Sequence, residues 1–134
     1  MARFELALQP DVAAPGTARQ FLRDSLATQR LDGFGDVSEL LTTELVTNVL
    51  RHASSEMTLR LLTSTGRLRV EVDDLVSDAP VLQRPDPLRP SGKGLLLVDA
   101  LASDWGVETT AGGKTVWFEI DVPTATEEVH GKSR

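Results

Sequence analysis

Two polar residues interrupt the apolar face of a predicted helix, in the stretch ELVTNVLRHA. Leu41, Leu45 and Val49 form an apolar stripe at helical spacing. Asn48 falls inside that stripe and Glu44 at its edge, and since they are four residues apart they share one face. A carboxylate one turn from an amide oxygen can hold a hard cation such as Mg²⁺, or place a general base beside one. The alternative, for so common a pattern, is a pair of satisfied buried polar residues or a polar stripe at the helix edge.

A second candidate is Asp74, at the end of a predicted strand. Leu68, Val70 and Val72 share one face of that strand by the period of two. Asp74 continues this inward face, whereas Asp73 is directed to solvent. An inward carboxylate can accept a hydrogen bond from a ligand amine, but an aspartate here can equally be a cap or turn residue. Position alone leaves both interpretations open.

The segment Gly92-Lys93-Gly94 leads directly into a predicted helix. Glycines before a helix expose backbone N–H groups at the positive end of its dipole, which favours anion binding. A Walker A motif is absent from the sequence, so a plain loop-to-helix junction is the alternative. Arg84 and Arg89, in the preceding loop, could reach phosphates or be solvated loop charges.

The predicted elements follow the order β-α-α-β-β-α-β-β, which favours an α+β two-layer sandwich with helices on one face of a mixed, mostly antiparallel sheet. We expect Asp36 to cap the second helix with Glu39 as its capping-box partner, and the third helix, apolar nearly all round, to be buried. The proline-rich stretch 75–92 is a candidate functional loop. Strands are predicted at 3–8, 57–64, 67–74, 106–110 and 114–120, and helices at 15–30, 36–53 and 92–105.

Composition excludes several function classes. The 134 residues suit one domain, and the lack of cysteine excludes disulfide frameworks and thiolate metal sites. His52 and His130 are too far apart in sequence to suggest a histidine-rich metal site. A net charge of −6 argues against nucleic-acid or anionic-membrane partners. We find no transmembrane-length apolar run and no signal-peptide pattern at the N-terminus, so the expected location is the cytoplasm.

Together, in this order and spacing, the motifs resemble the GHKL (Bergerat-fold) ATPase superfamily, in its short anti-sigma-factor kinase-like branch. ELVTNVLRHA resembles the N-box, VEVDD the start of the adenine-binding box, GKGLLLVDAL the phosphate-loop box and GGKTVWFEI the closing segment. The resemblance implies the histidine-kinase-like ATPase fold, with a single ATP-binding domain over residues 1–122 and a polar tail at 123–134.

The resemblance also implies roles for individual residues. Glu44 would be the general base, Asn48 would ligate the Mg²⁺ that bridges the ATP phosphates, and Asp74 would bind the adenine amino group. Thr115 would support the adenine end, although strand alternation places it opposite Val116. The remaining nucleotide-binding positions that it implies are Arg51, His52, Gly92, Lys93, Gly94 and Leu95.

The implied activity is that of an Mg-ATP-dependent serine/threonine protein kinase. Its implied partners are a STAS-type anti-anti-sigma protein and a competing sigma factor, and homodimers are usual in this branch.

One departure is that the adenine-binding box normally contains D-x-G-x-G, whereas D-L-V-S-D stands here from Asp74 onward. The loss of both glycines allows the alternative of a nucleotide-binding module that sequesters a partner without catalysis. A sensor histidine kinase domain is disfavoured because no dimerisation helix with a phosphoacceptor histidine is present, and a ligand-free fold would leave four coincident motifs unexplained.

Overall fold

The computed structural model describes residues 1–76 and 93–123. The predicted order of strands and helices is confirmed, with a short 3-10 turn before the second helix. The strands are β1 (Ala2–Leu8), β2 (Met57–Ser64), β3 (Arg67–Asp74), β4 (Asp104–Thr110) and β5 (Gly113–Asp121), and the helices are α1 (Ala14–Thr28), α2 (Gly35–His52) and α3 (Lys93–Leu101).

The five strands form one sheet in the order β1-β2-β3-β5-β4. Each of the four pairings between these strands is antiparallel. The predicted two-layer α+β class is therefore confirmed. The prediction of a mixed sheet included some parallel pairing, and the described strands form none. The β3–β5 pairing places the end of β3 beside the start of β5, which matters for the site described below.

The core lies between the sheet and the helices. Alternate residues of β2 and β3 are buried, as the period of two predicts for strands with one covered face. α2 packs against α1, α3 and β3, so it is the central helix of its layer. Fully buried side chains from both layers fill the core, among them Leu22, Leu26, Leu41, Leu45, Val46, Leu59, Leu61, Leu68, Val70, Val72, Val98 and Phe118.

The start of α2 differs from the predicted capping box. The residue at the N-cap is Phe34, the helix begins at Gly35, and no side chain caps it. Asp36 lies inside the first turn, where its charge still complements the helix dipole. Glu39 accepts a hydrogen bond of 2.7 Å from Arg23 of α1. The side chain of Glu39, which the sequence pattern assigns to the helix cap, therefore pairs with Arg23 of another helix.

α3 is shorter and more exposed than its apolar composition predicts. It ends at Leu101, which is 47% exposed, and Val98 is fully buried. β4 begins at Asp104, so Trp105 belongs to a strand and donates from its indole nitrogen to Asp99, 2.8 Å away. The helix predicted for 92–105 is thus wrong in its last turn, where strand pairing with β5 prevails.

Two predicted features lie outside the described residues. These are most of the proline-rich stretch, residues 77–92, which includes Gly92, and the tail from residue 124 onward. Within residues 1–76 and 93–123, no helix has the length and apolar character needed to cross a bilayer.

Candidate functional site

Asp74 is the last residue of β3 and lies on the inward face of the sheet, as strand alternation predicts. Its side chain is fully buried, and Oδ1 accepts a hydrogen bond of 2.8 Å from the backbone N–H of Val76. Oδ2 lies 2.7 Å from the ammonium nitrogen of Lys114, in an ion pair whose angles do not make a directed hydrogen bond. Lys114 is thus the partner of Oδ2 among the described residues, and the contact is an ion pair with unfavourable hydrogen-bond angles.

Lys114 is the functional candidate that sequence reasoning missed. It is 7% exposed, pairs in register with Asp74, and donates a hydrogen bond of 3.2 Å to the carbonyl oxygen of Val76. A signal was available, because Lys114 has the same parity along β5 as the apolar residues Val116 and Phe118. That parity directs it to the inner face, where a buried lysine requires a carboxylate partner.

Asp73 and Thr115 lie together on the outer face of the sheet. β5 begins regularly at Gly113, so Thr115 faces away from Asp74, and its hydroxyl donates to Asp73 Oδ1 over 2.6 Å. Arg60 donates to the same oxygen over 2.5 Å. Burial alone would raise the pKa of Asp73, but the hydrogen bonds from Arg60 and Thr115 outweigh it and hold that pKa below its usual value.

The outer face carries a network of ion pairs around Arg60. Arg60 also donates to Glu71 over 2.8 Å, and Arg69 donates to the other oxygen of Glu71 over 2.7 Å. Burial acts to raise the pKa of Glu71, but both arginines together lower it below the usual range. Arg69 in turn lies 4.0 Å from the ring centre of Trp117. These hydrogen bonds and ion pairs link β2, β3 and β5 on the outer face of the sheet, beside Asp73 and Thr115.

A cleft of about 340 Å³ opens at the strand ends beside these residues. Asp73, Asp74, Lys114 and Thr115 all line it, so residues from both faces of the sheet meet at its wall. The other lining residues come from strand ends and turns, namely Ala7, Leu8, Gln9, Glu56, Met57, Thr58, Leu75, Thr110 and Gly112. The cleft is thus built at the edge where β3 ends and β5 begins.

Glu44 and Asn48 occupy one face of α2, as their spacing predicts. Both are half-buried, between the fully exposed and the core positions of the helix. Neither side chain makes a hydrogen bond or ion pair with another residue in the described part of the chain. They do not line the strand-end cleft. Arg51 and His52, in the last turn of the same helix, are exposed.

The predicted phosphate segment is described only in part. Lys93, Gly94 and Leu95 form the first turn of α3, as predicted for a helix that starts directly after the glycine turn. α3 packs against α2, which carries Glu44 and Asn48. The two helices that would hold the metal and the phosphates are therefore neighbours.

The donor set on α2 suits Mg²⁺ bound together with phosphate. A carboxylate and an amide oxygen are hard ligands, and Mg²⁺ commonly uses one or two protein ligands while phosphates and water complete its shell. Within residues 1–76 and 93–123, no group of three or more His, Cys, Asp or Glu residues could hold a metal ion.

Comparison with known proteins gives a consistent result. A sequence profile of the histidine kinase-like ATPase domain matches residues 8–120. The chain is similar to the crystal structure of the RsbU and RsbW domains of Rv1364c from Mycobacterium tuberculosis, with a TM-score of 0.69 and 20% identity over 92% of this chain and 34% of that one. It is also similar to the histidine kinase domain of the blue-light activated histidine kinase EL346 from Erythrobacter litoralis, with a TM-score of 0.50 and 26% identity over 71% of this chain and 46% of that one.

This chain therefore spans about a third of the first of these structures and about half of the second. At 20% identity the first likeness concerns the fold alone. No curated protein matches the sequence.

Proposed function

This chain belongs to the family of histidine kinase-like ATPase domains, and we propose from that membership that it binds Mg-ATP and acts as a serine protein kinase of the anti-sigma-factor type. The observation that carries the proposal is the pair Glu44 and Asn48. Both are half-buried on one face of α2, and neither has a side-chain partner among the described residues. A carboxylate and an amide one helical turn apart, with no protein partner among the described residues, are available to a ligand such as a hydrated cation.

Each site residue has a distinct task in this proposal. Asn48 supplies an amide oxygen to Mg²⁺, and the first turn of α3, with Gly94, directs backbone N–H groups at the phosphates. Bound Mg²⁺ would neutralise charge on the phosphate that is transferred. Asp74 accepts a hydrogen bond from the adenine amino group at the end of β3. Arg51 and His52 lie on the same side of α2 and extend the polar lining.

Glu44 is the general base of the proposed transfer. It takes the proton of a serine hydroxyl as the oxygen of that serine attacks the terminal phosphate of ATP, and ADP leaves. Phosphoryl transfer requires positioning and charge neutralisation more than covalent chemistry, so one base, one metal ligand and a helix start are a sufficient set. The proposed acceptor is a STAS-type anti-anti-sigma protein, with a sigma factor as the competing partner, and the proposed assembly is a homodimer.

A binding module without catalysis is the second candidate. D-L-V-S-D stands from Asp74 onward in place of D-x-G-x-G, so Val76 and Asp78 occupy the positions at which glycines would let the backbone approach the base closely. Such a protein would bind nucleotide and sequester a sigma factor or STAS partner. It would retain Glu44 without using it as a base.

Two measurements separate these candidates. A calorimetric titration with Mg-ATP tests nucleotide binding, on which both depend; absence of binding would contradict both. Transfer from terminally labelled ATP to a panel of STAS proteins then tests the kinase. Labelling of a serine on one of them supports the kinase, whereas ATP binding without transfer to any partner supports the binding module.

A further inference from the structure

We propose that Lys114 competes with the nucleobase for Asp74, so that adenine binds only when the ammonium group leaves the carboxylate. This inference rests on the proposed function, since it concerns the same nucleotide site. It assigns a task to a residue that neither the sequence motifs nor the family match singles out.

Burial is the first observation behind this inference. The side chain of Asp74 is fully buried and that of Lys114 is 7% exposed. The two residues are in register across the β3–β5 pairing and both line the strand-end cleft. The lysine side chain therefore lies against the carboxylate at the cleft wall. An amino group that binds Asp74 Oδ2 must displace the ammonium group that now lies 2.7 Å from this oxygen.

Geometry is the second observation. Asp74 Oδ1 is already engaged by the N–H of Val76, over 2.8 Å. Oδ2 is the oxygen left for a ligand, and it lies 2.7 Å from Lys114 Nζ without a directed hydrogen bond. The ion pair thus occupies this oxygen by charge and by contact. A neutral adenine amino group can donate to Oδ2 only once Nζ moves away.

Displacement of Lys114 from Asp74 requires its ammonium group to turn toward the cleft. Its one hydrogen bond to a described residue goes to the carbonyl of Val76, over 3.2 Å, and its flexible stem ends at the cleft. An ammonium group can be rehydrated when it turns toward the cleft, which offsets part of the loss of the ion pair. The remaining loss lowers the affinity for adenine nucleotides.

The test is calorimetric titration of the full chain with Mg-ATP, comparing wild type with Lys114→Met and Lys114→Gln. We expect both variants to bind ATP about tenfold more tightly, the size of one hydrogen bond to a charged group. Removal of a positive charge would by itself weaken ATP binding, so tighter binding opposes the simple electrostatic expectation. Arg19→Met, an exposed change of the same charge on α1, is the matched control and should not tighten binding.

A second ligand makes the test specific for the amino group. Purine riboside triphosphate lacks the 6-amino group, so the Lys114 variants should not bind it more tightly than wild type does. Thermal unfolding verifies that each variant is folded, and Lys114→Gln keeps a neutral donor for the Val76 carbonyl should the methionine variant unfold.

The outcomes are distinct. Equal or weaker ATP binding by folded Lys114 variants, with binding by the wild type intact, overturns this inference and leaves the proposed function standing. The inference is also overturned if both nucleotides bind the variants more tightly by the same factor. Absence of ATP binding by wild type and all variants contradicts the proposed function together with it.

Discussion

Asp73 and Asp74 are adjacent in sequence yet belong to different environments, because β3 directs them to opposite faces of the sheet. Asp74 lies inward, fully buried against Lys114. Asp73 lies outward, where Arg60 and Thr115 hydrogen-bond to one of its oxygens. Both nonetheless line the same cleft, so exchange of either carboxylate for an amide tests which face serves the nucleotide.

We expect Asp74→Asn to weaken ATP binding about tenfold or more, since an amide is a poorer acceptor than a carboxylate for the adenine amino group. Asp73→Asn should change ATP affinity by less than about twofold, because it loses an ion pair on the outer face that stabilises the fold and not the ligand. Isothermal titration with ATP and GTP checks both, and thermal unfolding reports the separate effect on stability. Equal losses of ATP affinity in the two variants would contradict the assignment of faces.

Glu44 and Asn48 share a helix face, but substitution of Glu44 should impair phosphotransfer and substitution of Asn48 should impair ATP binding. Glu44→Gln removes the proposed base and should slow phosphotransfer by about a hundredfold to ten-thousandfold, with ATP affinity retained. Asn48→Ala removes the proposed metal ligand and should lose the part of ATP affinity that depends on Mg²⁺. Labelled-ATP transfer and titrations with and without EDTA measure these effects. Transfer at the wild-type rate by Glu44→Gln would exclude its role as base, and a wild-type response to Mg²⁺ by Asn48→Ala would exclude the ligand role.

Much of the fold and part of the site could be predicted because local periodicity determines them. The alternation of β3 placed Asp74 inward before any tertiary contact was known, and the spacing of Glu44 and Asn48 placed them on one face. These assignments depend on neighbouring residues in the chain, and the sandwich follows from the order of elements.

The features that local patterns could not provide depend on contacts between distant segments. Lys114 meets Asp74 through the register of β3 with β5, although the two residues are 40 positions apart in sequence. Glu39 satisfied the capping-box pattern, yet Arg23 from α1 is its partner. In each case the decisive neighbour comes from another element, so a single segment can predict the direction of a side chain but not its partner.

Gly113 is required by the close approach of β5 to the end of β3. A Cβ atom there would lie 1.8 Å from the carbonyl oxygen of Asp74 and 2.9 Å from Cα of Leu75, and both are backbone atoms that cannot yield without separating the strands. We expect Gly113→Ala to destabilise the protein by about 3 kcal/mol or more and to weaken ATP binding with it. Gly112→Ala is the matched control, because its added methyl group meets nothing within 4 Å and should change stability by less than about 0.5 kcal/mol. Chemical denaturation of both variants measures the difference, and equal stabilities would show that the strand ends can separate without loss.

The arginine network on the outer face should make the stability of the folded protein decrease as the pH falls into the acidic range. The pKa values of Asp73 and Glu71 are lowered in the folded state because the hydrogen bonds from Arg60, joined by Thr115 and Arg69, outweigh burial. A lowered carboxyl pKa means that the unfolded chain binds protons first as the pH falls. The stabilisation is therefore fully present above about pH 4, the ordinary carboxyl range, and is lost as the pH falls through the lowered folded values.

Arg60→Met removes the shared donor and should flatten this dependence. Without Arg60, burial acts on Asp73 with less opposition, so its folded pKa moves back toward or above the ordinary value and the proton uptake on unfolding decreases. We expect the melting temperature of wild type to fall more steeply between pH 5 and pH 3 than that of the variant, by a few degrees over this range. Arg3→Met, which removes an exposed arginine paired with the exposed Glu5, is the control and should keep the wild-type slope. Parallel slopes for wild type and Arg60→Met would show that the network does not set the acid response, whatever its effect on stability at neutral pH.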